Sequence, residues 1–156
     1  MKIGFCTGSF DPFTNGHLAV VKKSCQLFDK VIIAMGTNPD KKRRFDKQIM
    51  KEAIEKVLIS EGLENVEVIS FEDLAAYAAL DYKSTFIVRG IRNVTDYTDE
   101  ENQATINERL SGIDTIYIRA GAIGAISSSM VMEVLKRGRD VSEFVPKEIL
   151  EVITKK

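Results

Sequence analysis

The sequence predicts an α/β fold: one domain built on a doubly wound, five-stranded parallel sheet with helices on both faces. Three observations carry that prediction. Short runs of β-branched and aromatic residues recur along the chain, a stretch of helical period separates one run from the next, and 156 residues suffice for one core but not for two ordinary domains. Residues 2–7 and 30–36 are apolar runs rich in Ile, Val and Phe. Between them Leu18, Val21, Cys25 and Phe28 fall at helical spacing, which gives strand, helix, strand. Residues 46–61 repeat the helical period through Ile49, Ala53, Val57 and Leu58, and the run Val66-Glu67-Val68-Ile69 forms the third strand. A helix over 71–80, a strand at 85–88, a helix over 98–110 and a strand at 115–118 continue the alternation. Helices near 128–137 and 146–154 close the chain, with Pro146 expected in the first turn of the last. Strands spaced by helices of this length argue for a parallel sheet covered on both faces, and such sheets bind ligands beyond the carboxyl ends of their strands.

Composition narrows the function. Lys and Arg total 22 against 23 Asp and Glu, a net charge of −1, which argues against a general nucleic-acid binder; any anion site must be local. The longest apolar runs, such as Val31–Met35, are far too short for a membrane span, and no signal-peptide pattern opens the sequence, so a soluble cytoplasmic protein is expected. Cys6 and Cys25 lack Cys-x-x-Cys spacing and nearby histidines. They are expected as buried free thiols, with no protein-held metal.

After the first strand comes Thr7-Gly8-Ser9-Phe10-Asp11-Pro12-Phe13-Thr14-Asn15-Gly16-His17, and then an amphipathic helix. Gly8 is expected to turn the backbone close to a ligand, and Ser9 adds a hydroxyl and an amide, the makings of an anion cradle. The helix start directs unpaired amides and its positive end at the same space. His17, the only histidine, falls in the first helical turn beside Gly16, which is expected to leave it room to donate to a phosphoryl oxygen. Lys41-Lys42-Arg43-Arg44 follows the second strand through Asn38-Pro39, which puts four cations on the ligand rim. Arg89 and Arg92 are expected just beyond the carboxyl end of the fourth strand, converging on phosphate oxygens, with Gly90 permitting close approach. Ser127, Ser128 and Ser129 open a late helix; one serves as N-cap, and the surplus hydroxyls and amides can face an anion. The acidic stretch Asp96 to Glu101 reads as a helix start whose carboxylates suit the dipole.

Thr14-Asn15-Gly16-His17 resembles the Thr/His-x-Gly-His signature of the nucleotidyltransferase superfamily, and Gly8-Ser9-Phe10-Asp11-Pro12 resembles the lead-in of its adenylyltransferases. With the Lys41 loop, Arg89-Gly90-Ile91-Arg92 and Ile126-Ser127-Ser128-Ser129, the chain resembles the bacterial phosphopantetheine adenylyltransferases in order and spacing over nearly its whole length. The resemblance implies a Rossmann-like fold and transfer of the adenylyl group of ATP to 4'-phosphopantetheine, giving dephospho-CoA and pyrophosphate for coenzyme A synthesis, with Mg2+ accompanying ATP. It implies that His17 stabilises the transition state and that Ser9 and Phe10 contact nucleotide or substrate phosphate. Lys41 and Arg89 would hold the acceptor phosphate, with Leu74 and Ala75 lining the pantetheine arm and Asn107 on the same side. Gly90, Ile91, Arg92, Glu100, Ile123, Gly124, Ala125, Ile126, Ser127, Ser128 and Ser129 would surround ATP, in a homo-oligomer, a homohexamer by resemblance.

The chain departs from the family's usual pattern in three places: the glycine- and alanine-rich Arg119–Ala125, Ile49-Met50 where an acidic residue and arginine are usual, and the more acidic Tyr97–Glu101. Two alternatives stand beside the main reading: a nucleotidyltransferase for another phosphorylated acceptor, and a nucleotide-binding regulatory module without catalysis. Met130 and Met132 stand where nicotinamide-mononucleotide transfer would place polar residues and arginine. A dinucleotide-dependent oxidoreductase would need Gly-x-Gly-x-x-Gly after the first strand, which is absent.

Overall fold

The computed structural model describes residues 1–155. Five parallel strands, β1 (Ile3–Gly8), β2 (Lys30–Met35), β3 (Val66–Ser70), β4 (Phe86–Ile91) and β5 (Thr115–Arg119), lie in the order β3-β2-β1-β4-β5. Among them run α1 (Asn15–Leu27), α2 (Lys47–Ser60), α3 (Ala75–Asp81), α4 (Val94–Ser111), α5 (Ser128–Lys136) and α6 (Lys147–Ile153), with a 3-10 turn at Gly121–Ile123.

The period of two along each strand decides which helix layer a residue meets. Ile33 and Met35 of β2 pack with Val21, Ile54, Val131 and Ile149, the layer of α1, α2, α5 and α6. Cys6, Val31, Val88 and Ile118 lie on that face too, against Phe28. The intervening residues, Phe5, Ile32 and Ile87, turn to the other face and meet Ala78, Ala79 and Ile113 of the α3–α4 layer. Burying each of these larger side chains contributes about 1.5–3 kcal/mol, enough to fix the register of every strand. The same alternation carries Arg89, two residues after Ile87, to the α4 face. It turns Gly90 to the α1 face, where a Cβ would lie 3.0 Å from Val20.

Several boundaries differ from the sequence reading. β4 does not stop at 88; pairing with β5 continues to Ile91↔Arg119, so Arg89, Gly90 and Ile91 are strand residues and not residues beyond the strand end. α4 starts at Val94 and not near 98, because the Asn93 side chain accepts from the Asp96 amide at 2.9 Å and caps it. α3 starts at Ala75, four residues after the expected start at 71. Pro146 is the extended residue immediately before α6, one position earlier than a first-turn proline.

Strand order reverses between β1 and β4: the chain leaves β1 for β2 and β3 on one side and returns through β4 and β5 on the other. That switch point opens a crevice at the carboxyl ends of β1 and β4.

Candidate active site

A cavity of about 300 Å³ occupies the switch point. Its floor is Cys6 to Phe10 from β1 and its loop and Val88 to Arg92 from β4; its walls are Gly16, His17 and Val20 of α1, Asp96 and Glu100 of α4, and Ser127 to Ser129 at the start of α5. A second cavity of about 300 Å³, between α3 and α4, is lined by Leu74, Ala75, Gln103, Ile106, Asn107 and Leu110 among others. The two share Thr7, Arg89 and Glu100.

His17 is built by its own helix cap. Thr14 is the N-cap of α1; its Oγ1 accepts from the His17 amide at 3.3 Å, while the Thr14 amide donates to His17 Nδ1 at 3.0 Å. An Nδ1 that accepts leaves the imidazole proton on Nε2. The ring lies edge-on to Phe10 at 5.0 Å and stacked on Phe13 at 5.6 Å. Burial, then the charges of Arg89 and Arg92, push its pKa down from 6.5 to about 4, so at neutral pH it is an uncharged donor.

Gly16 has a different purpose from the one expected. A Cβ there would sit 2.8 Å from the Ile126 carbonyl, so the missing side chain lets the segment before α5 rest on the first turn of α1. Two helix starts are thereby drawn to one crevice. Gly8 does not make the turn either: it ends β1 in register with Met35, and the left-handed residue is Phe10, with φ 50°.

Arg89 and Arg92 both line the crevice, each gripped by a carboxylate from α4. Arg89 Nε and Nη2 donate to the two oxygens of Glu100, both at 2.7 Å, and Nη1 donates to the Thr7 carbonyl. Arg92 donates to Asp96 through Nε at 2.8 Å and Nη2 at 3.3 Å. Next to Arg89 across the strands, Tyr117 donates to Glu101 at 2.6 Å, and burial together with that carboxylate pushes its phenol pKa up. The acidic stretch is therefore the wall of the site as well as a helix start. The sequence reading named neither pair: Arg92 precedes the α4 cap, and the Arg89–Glu100 pair joins two elements.

Each of the three serines has a partner within the protein. Ser127 accepts from the Met130 amide at 3.0 Å as N-cap of α5, Ser128 donates to the Pro12 carbonyl at 2.7 Å, and Ser129 Oγ is 3.5 Å from Arg44 Nη2. Ile123 does not line the crevice, and Ala125 lines a shallower depression beside it with Arg92 and Gly124. Lys41 is exposed and outside both cavities, while Leu74, Ala75 and Asn107 line the second.

Sequence reasoning passed over Asp11. Its buried carboxylate accepts from the amides of Arg44 at 2.6 Å and Phe45 at 3.0 Å and so pins the basic loop to the first loop. Arg43 Nη1 donates to the Ser9 carbonyl at 2.7 Å. No local pattern announces such a pairing, since 33 residues separate Asp11 from Arg44. Cys6 is buried, with its thiol pushed up to about 12 by that burial, and both cysteines are free.

The switch-point crevice, with two helix starts and a neutral histidine facing it, is that of a nucleotide-binding α/β domain, and the cytidylyltransferase-like family model matches residues 5–134. The chain is 43% identical over 155 residues to phosphopantetheine adenylyltransferase from Streptococcus pneumoniae, covering 97% of this chain and 94% of that one. It is 41% identical over 151 residues to the enzyme of that name from Oenococcus oeni, covering 94% and 92%. In fold it is similar to a putative nicotinate-nucleotide adenylyltransferase from Vibrio parahaemolyticus, with a TM-score of 0.70 at 21% identity over 98% of this chain and 92% of that one. The chain belongs to the phosphopantetheine adenylyltransferase family of nucleotidyltransferases.

Proposed function

We propose that this chain transfers the adenylyl group of ATP to 4'-phosphopantetheine, forming dephospho-CoA and pyrophosphate. The observation that carries this reading is the pair of cavities meeting at Arg89: one faced by two helix starts, suited to a triphosphate, the other walled by Leu74, Ile106 and Leu110, suited to an uncharged arm.

In this reading an oxygen of the acceptor phosphate attacks the α-phosphorus, and the bond to the bridging oxygen breaks with its electron pair leaving on pyrophosphate. A phosphate monoester is already largely ionised at neutral pH, so no protein base is required. The chain supplies alignment and positive potential where negative charge builds. His17 donates from Nε2 to an oxygen of the α-phosphoryl group. Arg89 keeps two of its five N–H bonds beyond the three donated to Glu100 and Thr7, and these hold the acceptor phosphate with help from the exposed Lys41. Ser9, Phe10, Gly90 to Arg92, Glu100, Gly124 and Ile126 to Ser129 enclose the nucleotide, with Ile123 and Ala125 outside the crevice wall, and Ser9 also reaches the acceptor; Leu74, Ala75 and Asn107 guide the pantetheine arm.

Among the described residues no group of three His, Cys, Asp or Glu side chains is placed to hold a metal, and Asp96 and Glu100 are engaged by arginines. Mg2+ is accordingly taken to arrive on the triphosphate, as part of the substrate. We place the protein in the cytoplasm, in keeping with an enzyme of coenzyme A synthesis. Exposed Leu80, Ile106 and Leu110 on the α3–α4 layer support a homo-oligomer, with a homohexamer as its expected form.

The test is pyrophosphate release from ATP or CTP with phosphopantetheine, nicotinamide mononucleotide or glycerol phosphate as acceptor. Release is expected only with ATP and phosphopantetheine. Release with another pair reassigns the acceptor, and ATP binding with no release under any acceptor marks a regulatory module.

A further inference from the structure

We infer that Arg44 binds the β- and γ-phosphates of the nucleotide, a role resting on the reading of the switch-point crevice as the nucleotide site. The starting point is charge. The charged side chains lining that crevice are Arg89, Arg92, Asp96 and Glu100, two cations against two anions, each cation paired to one of the anions. His17 is neutral there. The lining therefore has no net charge, while a triphosphate brings several negative charges that its magnesium neutralises only in part. Two helix starts contribute roughly half a charge each, which leaves part of the remainder unmet.

The basic loop offers further cations beside the crevice, and its members are not equivalent. Arg43 is turned inward: Nε donates to the Phe45 carbonyl at 3.1 Å, Nη1 to the Ser9 carbonyl at 2.7 Å, and Nη2 lies 3.7 Å from Asp11 Oδ1. Arg44 is anchored at its base and open at its tip. Its amide is held by Asp11 Oδ2 at 2.6 Å and its Nη1 by the Asp11 carbonyl at 2.8 Å, which places Nη2 3.5 Å from Ser129 Oγ at the start of α5. Among the described residues no carboxylate lies within ion-pair distance of its guanidinium, unlike those of Arg43, Arg89 and Arg92. A planar fork fixed on one edge, with the other edge beside a crevice wall, is prearranged for phosphate oxygens.

Location selects which phosphates. Arg44 touches Asp11 and Ser129, neither of which lines the acceptor cavity, so it serves the nucleotide and not the acceptor. It also lies on the α5 side of the crevice, whereas Arg89, shared by both cavities, marks the place where the α-phosphorus meets the acceptor.

The experiment is calorimetric titration of the full chain, as wild type, Arg44→Gln and Arg44→Lys, with ATP and separately with AMP. Loss of a charged hydrogen-bonding partner should weaken ATP by roughly tenfold or more in Arg44→Gln. AMP binding should be unchanged, and Arg44→Lys should recover part of the loss. In the reverse reaction the KM for pyrophosphate should rise while that for dephospho-CoA stays. Equal ATP affinity in wild type and Arg44→Gln overturns the assignment. So does an equal loss for ATP and AMP accompanied by a lower Tm, which would make Arg44 a tie between loops. A wild type that binds ATP but does not transfer to phosphopantetheine overturns the proposed reaction and leaves the Arg44 comparison intact.

Discussion

The hydrogen bond from the Thr14 amide to His17 Nδ1 exists only while that nitrogen is unprotonated, so the cap of α1 and the charge state of the imidazole are one equilibrium. Burial and the two nearby arginines act in the same direction, lowering the pKa from 6.5 to about 4. Above pH 6.5 the ring is neutral in both folded and unfolded chains and pH has no effect through it. Between 6.5 and about 4 the unfolded chain takes up a proton that the folded chain refuses, so folding stability falls as pH falls, and the loss is complete below about 4. Because the chain has one histidine, proton NMR of an untagged sample follows that ring alone. Its midpoint is expected near 4, and a midpoint between 6 and 7 would show a solvated ring without the Thr14 bond. In the proposed reaction, replacing His17 with Ala removes a donor whose bond strengthens as charge builds on the phosphoryl oxygens. The expected cost is about 10²–10³-fold in kcat with little change in ATP affinity. An undiminished kcat removes His17 from the chemistry.

Helix α1 meets its neighbours through two glycines, and the partners of those glycines differ in how far they can yield. At Gly90 an added Cβ would press on Val20 Cγ2 at 3.0 Å, a side chain with other rotamers, whereas at Gly16 it would lie 2.8 Å from the backbone carbonyl of Ile126. Gly16→Ala should therefore cost more, about 1–3 kcal/mol in urea denaturation, and should weaken ATP because the start of α5 moves with Ile126. If Gly16→Ala proves as stable as wild type, the two helix starts are not coupled through that contact. The same pair shows what a sequence discloses. The apolar strands and a serine cap for α5 were legible because strand period and capping chemistry are local, whereas the choice of Ser127 among the three serines and the Thr14 cap of α1 came only with the structure. The start of α4 was not, since that helix is polar around most of its surface and has no apolar stripe to mark it. Gly16 was recognisable as required without its reason being visible, because the carbonyl it admits comes from 110 residues further along. Glu100 was placed near the nucleotide by resemblance, but its grip on Arg89 depends on β4 continuing to Ile91 and so holding Arg89 on the α4 face.

The molecule as a whole is nearly neutral, at −1, so its surface offers no long-range attraction to anions and the local cations have to capture both substrates. Its exposed large apolar side chains include a group on the layer that walls the second cavity, the proposed acceptor site: Leu74, Tyr77 and Leu80 on and beside α3, Ile106 and Leu110 on α4. Three of these, Leu74, Ile106 and Leu110, also line that cavity. A second copy covering this layer would shield the apolar side chains from water and steady the walls of the acceptor site in the same act. Sedimentation at micromolar concentration should accordingly give a mass several times the 17.4 kDa of one chain. Leu80 is 43% exposed and lines neither cavity, so Leu80→Glu tests the contact without touching a binding wall. That substitution should yield smaller species and raise the KM for phosphopantetheine well above its effect on the KM for ATP, whose crevice lies on the far side of Arg89 and Glu100. A wild-type chain that sediments as a monomer removes the assembly; an oligomer that dissociates with both KM values rising together removes its link to the acceptor site.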